Sequence, residues 1–214
     1  MTFTHAIGVG CGKIIQLIVR GLALSRIHPN VLTFLGLVIN IWAAVLLSRG
    51  PSQFFNAGLV IIGAGLFDMV DGRVARETNR VTRFGGFFDS VLDRYSDLAL
   101  LIGLLVWYGS INRPGYVVLT ALVMAACVMI SYTRARAENE IPKCKVGFME
   151  RPERVVLVII GALSDHMAPV LWIIAVLGNL TVTHRMIFTW QESKRLEEAQ
   201  LRPAGARAVS NIQR

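Results

Sequence analysis

Six times between residues 31 and 182 the chain returns to an apolar run, and a bilayer is the environment that accommodates such a pattern. The runs cover 31–48, 54–67, 98–108, 116–132, 155–163 and 168–182. A hydrocarbon layer is about 30 Å thick and a helix rises about 1.5 Å per residue. Three of the runs are too short alone. The run 98–108 covers about 17 Å, and a helix long enough must start near Phe84. That start draws Asp89, Asp93 and Asp97 into a membrane helix. The run 54–67 covers about 21 Å and must continue through Asp68 and Asp71. The run 155–163 needs a start near Arg151 or Pro152. The expected fold is therefore all-α and integral to the membrane, with six transmembrane helices.

Composition excludes two alternatives. Hydrophobic residues make up 54%, the mean hydropathy is +0.54, and charged residues are 17%, against roughly 25% in soluble domains. Neither a disordered chain nor an ordinary soluble enzyme has that balance. The net charge of +8 would point to nucleic acid in a soluble protein. In an apolar chain it points to cytoplasmic loops and anionic lipid headgroups. Of the 22 Lys and Arg residues, only Arg49 and Arg113 fall in the loops after the first and third spans. The positive-inside rule then places both termini in the cytoplasm. Residues 1–27 read as an interfacial amphipathic helix, with Lys13, Gln16 and Arg20 on one face. Residues 28–190 form the six-helix domain. Residues 191–214 read as a basic cytoplasmic tail, partly disordered around Pro203 and Gly205. The three cysteines lack CxxC spacing, so neither a disulfide framework nor a zinc site is expected.

The stretch 67–97 carries five aspartates. Asp68 and Asp71 are three apart and share a helix face; Asp89, Asp93 and Asp97 recur every four residues and share another. One carboxylate inside a membrane helix costs about 2.5–3.5 kcal/mol, and clustered carboxylates also repel each other. Oxygen donors at this density suit a hard cation such as Mg²⁺, Mn²⁺ or Ca²⁺. Four carboxylates balance two divalent ions. The competing reading pairs the aspartates with Arg73, Arg76, Arg80, Arg83 and Arg94. Two stripes from two helices, both at the cytoplasmic end, argue against that for the set. Asp97 taken alone reads better as a pairing residue. Gly72 follows Asp71 inside a helix, where glycine is disfavoured by about 1 kcal/mol. It serves either close approach of a ligand or close packing of helices.

A second set is basic. Arg134 and Arg136 close the fourth span, Arg151 and Arg154 open the fifth, and Arg185 lies near the cytoplasmic end of the sixth. Arginine forks match phosphate oxygens, so an acceptor that carries a phosphate is expected. Each arginine singly also reads as positive-inside decoration. Arg151, beside Glu150 and Glu153, has the strongest case for local pairing. A divalent-cation transporter is the alternative from another class, but such proteins place acids near the midplane on broken helices. Here the acids stand at one end, and no second acidic site follows along a path.

Written out, the acidic stretch is D-x-x-D-G-x-x-A-R-x8-G-x-x-x-D-x-x-x-D, on Asp68, Asp71, Gly72, Ala75, Arg76, Gly85, Asp89 and Asp93. It resembles the signature of the CDP-alcohol phosphatidyltransferases. The resemblance implies a dimeric enzyme of the prokaryotic cytoplasmic membrane that moves a phosphatidyl group from a CDP-linked lipid to an alcohol, releasing CMP. It implies two ions, Mg²⁺ or Mn²⁺, on Asp68, Asp71, Asp89 and Asp93, with Asp93 also the general base. The segment opening the first span resembles the family's P-[ND]-x-x-T element. With it, Asn30, Val31, Leu32, Thr33, Gly72, Arg76 and Thr82 are implied to contact the CDP-lipid. Without the family, Pro29 and Asn30 read as a helix start and Thr82 as a loop or N-cap threonine.

The segments SYTRARAE and GFMERPER resemble one branch, the prokaryotic phosphatidylinositol phosphate synthases and their archaetidylinositol phosphate relatives, which use inositol 1-phosphate. There the acceptor-phosphate residues are implied to be Arg134, Arg136, Arg154 and Arg185. Arg134 stands where the branch usually has lysine. Glycerol 3-phosphate, the acceptor of phosphatidylglycerophosphate synthase, is the alternative within the family.

Overall fold

The computed structural model describes residues 29–77 and 81–201, and the side chains of residues 30–68 and 81–199. The expected interfacial helix over 1–27 lies outside the described residues. Six helices follow one another: α1 (Pro29–Leu47), α2 (Pro51–Glu77), α3 (Arg83–Ser110), α4 (Pro114–Glu140), α5 (Arg151–Leu163) and α6 (Met167–Leu201). Proline stands at the first position of α1, α2 and α4, where its missing N–H costs nothing. The Thr82 hydroxyl accepts a hydrogen bond from the Gly85 N–H at 2.9 Å and caps α3.

The boundaries follow the length argument. α2 runs on through Asp68 and Asp71, α3 begins at Arg83 and α5 at Arg151. Three segments are long and apolar enough to cross a membrane by themselves: Asn30–Leu47, Pro114–Glu140 and Met167–Ala199. α2 and α3 have 27 and 28 residues, ample length diluted by their aspartates and arginines. α5 has only 13, about 20 Å. The first part of the expected tail, to Leu201, is helical and continues α6, while residues 202–214 lie outside the described residues. SKRLEEAQL consists largely of good helix formers.

The helices pack in a closed ring. α1 lies against α2 and α3, α2 against α5, α5 against α6, α6 against α4, and α4 against α3. Ala43, Leu47, Phe54, Ile61, Leu104, Val123, Leu171 and Ile174 are buried in the shared core. Outward, Trp42, Phe55, Leu122 and Trp172 are more than half exposed, an apolar exterior suited to hydrocarbon. α1 and α3 touch at Gly103, where a Cβ would stand 2.3 Å from the Ala44 carbonyl oxygen. Small residues of this kind let membrane helices approach closely. Cys127 and Cys144 are buried free thiols.

Candidate active site

The aspartates meet at one end of the ring, where the end of α2 and the first half of α3 face the start of α5. Asp93 and Asp97 point from α3, Asp68 from α2, and one guanidinium stands among them. Arg151 Nη2 lies 2.8 Å from Asp68 Oδ2, Nη1 2.9 Å from Asp93 Oδ1, and Nε 3.5 Å from Asp97 Oδ1. The other oxygen of Asp97 lies 2.7 Å from Arg154 Nη2. Helical side chains lean toward the helix N-terminus, so the first turn of α5 can project both arginines into this end. Asp97 is thus a pairing residue, as its spacing allowed. Asp89 stands one turn before Asp93 on the same stripe and is half-buried. The side chains of Asp71, Gly72 and Arg76 lie outside the described residues.

This corrects one expectation. Asp68, Asp93 and Asp97 do meet arginine, and among the described residues their partners are Arg151 and Arg154 of α5 rather than Arg83 or Arg94; the side chains of Arg73, Arg76 and Arg80 lie outside the described residues. Partly buried carboxylates demand a compensating cation, and Arg151 supplies it. Among the described residues no three acidic, histidine or cysteine side chains stand close enough as placed to hold a metal. The donor set nevertheless fits a divalent ion. It consists of carboxylate oxygens converging from two helices on one positive centre, and the carboxylates outnumber the cations touching them. Hard cations take such donors. The backbone of α1 leaves space here: a Cβ on Gly36 would stand 2.9 Å from Asp68 Oδ1.

Next to the aspartates, the starts of α1 and α3 share a corner. A Cβ on Gly85 would lie 3.0 Å from Thr82 Oγ1 and 3.5 Å from Asn30 Oδ1. Asn30 and Thr33, three apart, share the inner face of α1, and Thr33 is buried. Val31 faces outward and Leu32 lies in the core. Four consecutive helical residues cannot all face one ligand.

On the other side of Arg151 is a cavity of about 410 Å³ lined by Arg94, Arg134, Arg151, Arg154, Arg185 and Glu150, among others. Arg134 lies 3.0 Å from Glu150 and 3.3 Å from Glu138. Arg136 does not join it. It pairs with Glu140 at 3.2 Å on the exposed side of α4, because two residues along a helix turn about 200°. Arg185 reaches the cavity's edge, but its side chain is only 1% exposed. Its Nε donates to the Val146 carbonyl at 2.9 Å, Nη1 to the Ile130 carbonyl, and Nη2 to Glu150 at 3.4 Å. It is a strut between α4, α6 and the linker 141–150. Thr181 Oγ1 assists by accepting from the Phe148 and Met149 N–H groups, each at 3.2 Å. Gly147, at φ +123, allows the chain to lie flat there: a Cβ would stand 2.6 Å from Thr181 Cγ2.

Sequence reasoning placed Arg151 in the basic set but favoured pairing with Glu150 and Glu153, whereas it meets Asp68, Asp93 and Asp97; it did not single out Gly36. Nothing in the sequence marks which glycine faces Asp68.

Comparison with known proteins follows the same lines. The CDP-alcohol phosphatidyltransferase family model matches residues 26–192. An archaetidylinositol phosphate synthase from Methanothermobacter thermautotrophicus is 37% identical over 163 residues, 70% of this chain and 80% of that protein. A phosphatidylinositol phosphate synthase from Mycobacterium tuberculosis is 35% identical over 184 residues, 81% of this chain and 84% of the relative. The crystal structure of a Mycobacterium tuberculosis phosphatidylinositol phosphate synthase with CDP-DAG bound aligns at a TM-score of 0.77 and 34% identity, over 83% of this chain and 94% of that one. A second, in complex with manganese and citrate, aligns at 0.75 and 34%, over 82% and 88%. With a family match over residues 26–192, which takes in all six helices except the last turns of α6, the chain belongs to the CDP-alcohol phosphatidyltransferase family.

Proposed function

We propose that this protein transfers the phosphatidyl group, or its archaeal counterpart, from a CDP-linked lipid to inositol 1-phosphate and releases CMP. The observation that carries the reading is the adjacency of two groups across Arg151. On one side are carboxylates from α2 and α3; on the other is an arginine-lined cavity large enough for a phosphorylated polyol. Relatives named for inositol phosphate support the acceptor.

Asp68, Asp71, Asp89 and Asp93 would hold two divalent ions, Mg²⁺ or Mn²⁺, which supply neutralising charge to the pyrophosphate. The corner of Asn30, Thr33 and Thr82, with Gly72 and Arg76 of α2, receives the cytidine diphosphate. An apolar groove of about 390 Å³, with Ile61, Leu66, Val156 and Ile159 in its walls, reaches Asp68, Asp97 and Arg151 and receives the lipid chains. Arg134 and Arg154 bind the acceptor's phosphate, while Arg185 holds the linker and Glu150 in place. Asp93 takes the proton of the entering hydroxyl. That oxygen bonds to the lipid-bearing phosphorus as the bond from this phosphorus to the oxygen of the CMP phosphate breaks.

The site then lies at the cytoplasmic end of six membrane-spanning helices in residues 28–190, with both termini cytoplasmic and the enzyme a homodimer. The test incubates purified protein and labelled CDP-lipid with inositol 1-phosphate or glycerol 3-phosphate in Mg²⁺ or Mn²⁺. A phosphorylated inositol lipid is the expected product. Product with glycerol 3-phosphate alone would replace the acceptor and keep the reaction. No CMP release with either would overturn the reading.

A further inference from the structure

Two arginines at the site are held in opposite ways. All three guanidinium nitrogens of Arg185 donate hydrogen bonds, two of them to backbone carbonyls, so it is fixed. Arg151 stands near three carboxylates, yet of these contacts the one from Nη2 to Asp68 has hydrogen-bond geometry. Its Nε is buried without a hydrogen-bond acceptor among the described residues. One hydrogen bond and the charge of three carboxylates hold it there.

The side chain also borders two spaces: the arginine cavity, whose walls include Arg134 and Arg154, and the apolar groove. Two of the aspartates it touches, Asp68 and Asp93, are those the proposed function assigns to divalent ions. Two positive centres cannot share that space, because like charges a few ångströms apart in a poorly solvated site repel strongly.

Resting on that functional reading, we propose that Arg151 is an exchangeable counter-cation. It holds the carboxylates together before metal arrives, yields its place to the ions, and then joins the acceptor-phosphate cavity. Metal loading thereby completes the acceptor site. Linkage requires the converse: the acceptor's phosphate draws Arg151 away and favours metal binding.

The test is equilibrium binding to purified full-length protein without CDP-lipid, so no turnover occurs. Mn²⁺ titrations compare the unaltered protein with Arg151→Gln and Arg151→Lys; thermal unfolding reports whether each is folded. Removing a competing, partly exposed ion pair tightens Mn²⁺ binding by on the order of tenfold in Arg151→Gln. Arg151→Lys keeps the charge but cannot face three carboxylates, and falls between; it carries the test if the glutamine variant does not fold. Mn²⁺ strengthens inositol 1-phosphate binding more in the unaltered protein than in Arg151→Gln. Equal or weaker Mn²⁺ binding in the variants overturns the exchange and leaves the functional reading standing. Failure of every protein to bind Mn²⁺ overturns both.

Discussion

Replacing Arg185 with alanine separates a strut from a phosphate ligand. The guanidinium satisfies the carbonyls of Val146 and Ile130 and approaches Glu150, and its side chain is almost wholly enclosed. A hydrogen bond from a charged donor contributes about 1.5–3 kcal/mol, and an orphaned buried carbonyl costs about 1–3 kcal/mol. Losing both bonds and leaving a void, Arg185→Ala is expected to cost about 3–5 kcal/mol. For a chain of this size each kcal/mol moves Tm by about 2–4 °C, so the melting point falls by roughly 6–20 °C. The linker 141–150 loosens with it, Glu150 and Arg134 lose their setting, and the acceptor KM rises. Thermal unfolding in detergent and steady-state kinetics on the same preparation read both effects. A raised KM with unchanged Tm would mean that Arg185 binds the acceptor directly. No change in either would refute the strut.

Other substitutions divide by location. Asp93→Asn abolishes CMP release while CDP-lipid binding, followed by equilibrium dialysis, persists; normal turnover would remove Asp93 as base. Arg154→Ala raises the acceptor KM and also leaves Asp97 with one weaker partner at 3.5 Å, so a loss of about 3 kcal/mol accompanies it; denaturation and initial rates check the two parts. Arg136→Ala leaves KM within about twofold, since an exposed pair contributes less than about 1 kcal/mol; a large rise would place it in the cavity after all. A strong chelator stops turnover, and added Mg²⁺ or Mn²⁺ restores it; full activity in chelator would end the metal reading.

Much of the architecture is legible because a bilayer imposes lengths. Runs of 11 and 14 residues could not span, and the chain had to extend them through the aspartates, which α2 and α3 do. The spacing of the aspartates likewise placed them on shared faces before any contact was known. What stayed hidden was long-range. Arg151 and Asp68 are 83 residues apart, and no periodicity links them. Arg134 and Arg136 look equivalent in the sequence, and only the helix phase sends one into the cavity and the other to the outside.

The same physics explains why the strongest sequence signal and its missing partner sit on different helices. A carboxylate cluster at the end of a membrane helix must be neutralised wherever it lies in the ring. Among the described residues, the arginines of α3 itself, Arg83 and Arg94, make no ion pair with the aspartates. The ring brings α5 against α2, and the first turn of α5 is where a long cationic side chain can reach both stripes while leaning toward its own N-terminus. The short α5 therefore carries charge placement more than span, and its first four residues, Arg151 to Arg154, link the aspartates to the arginine cavity.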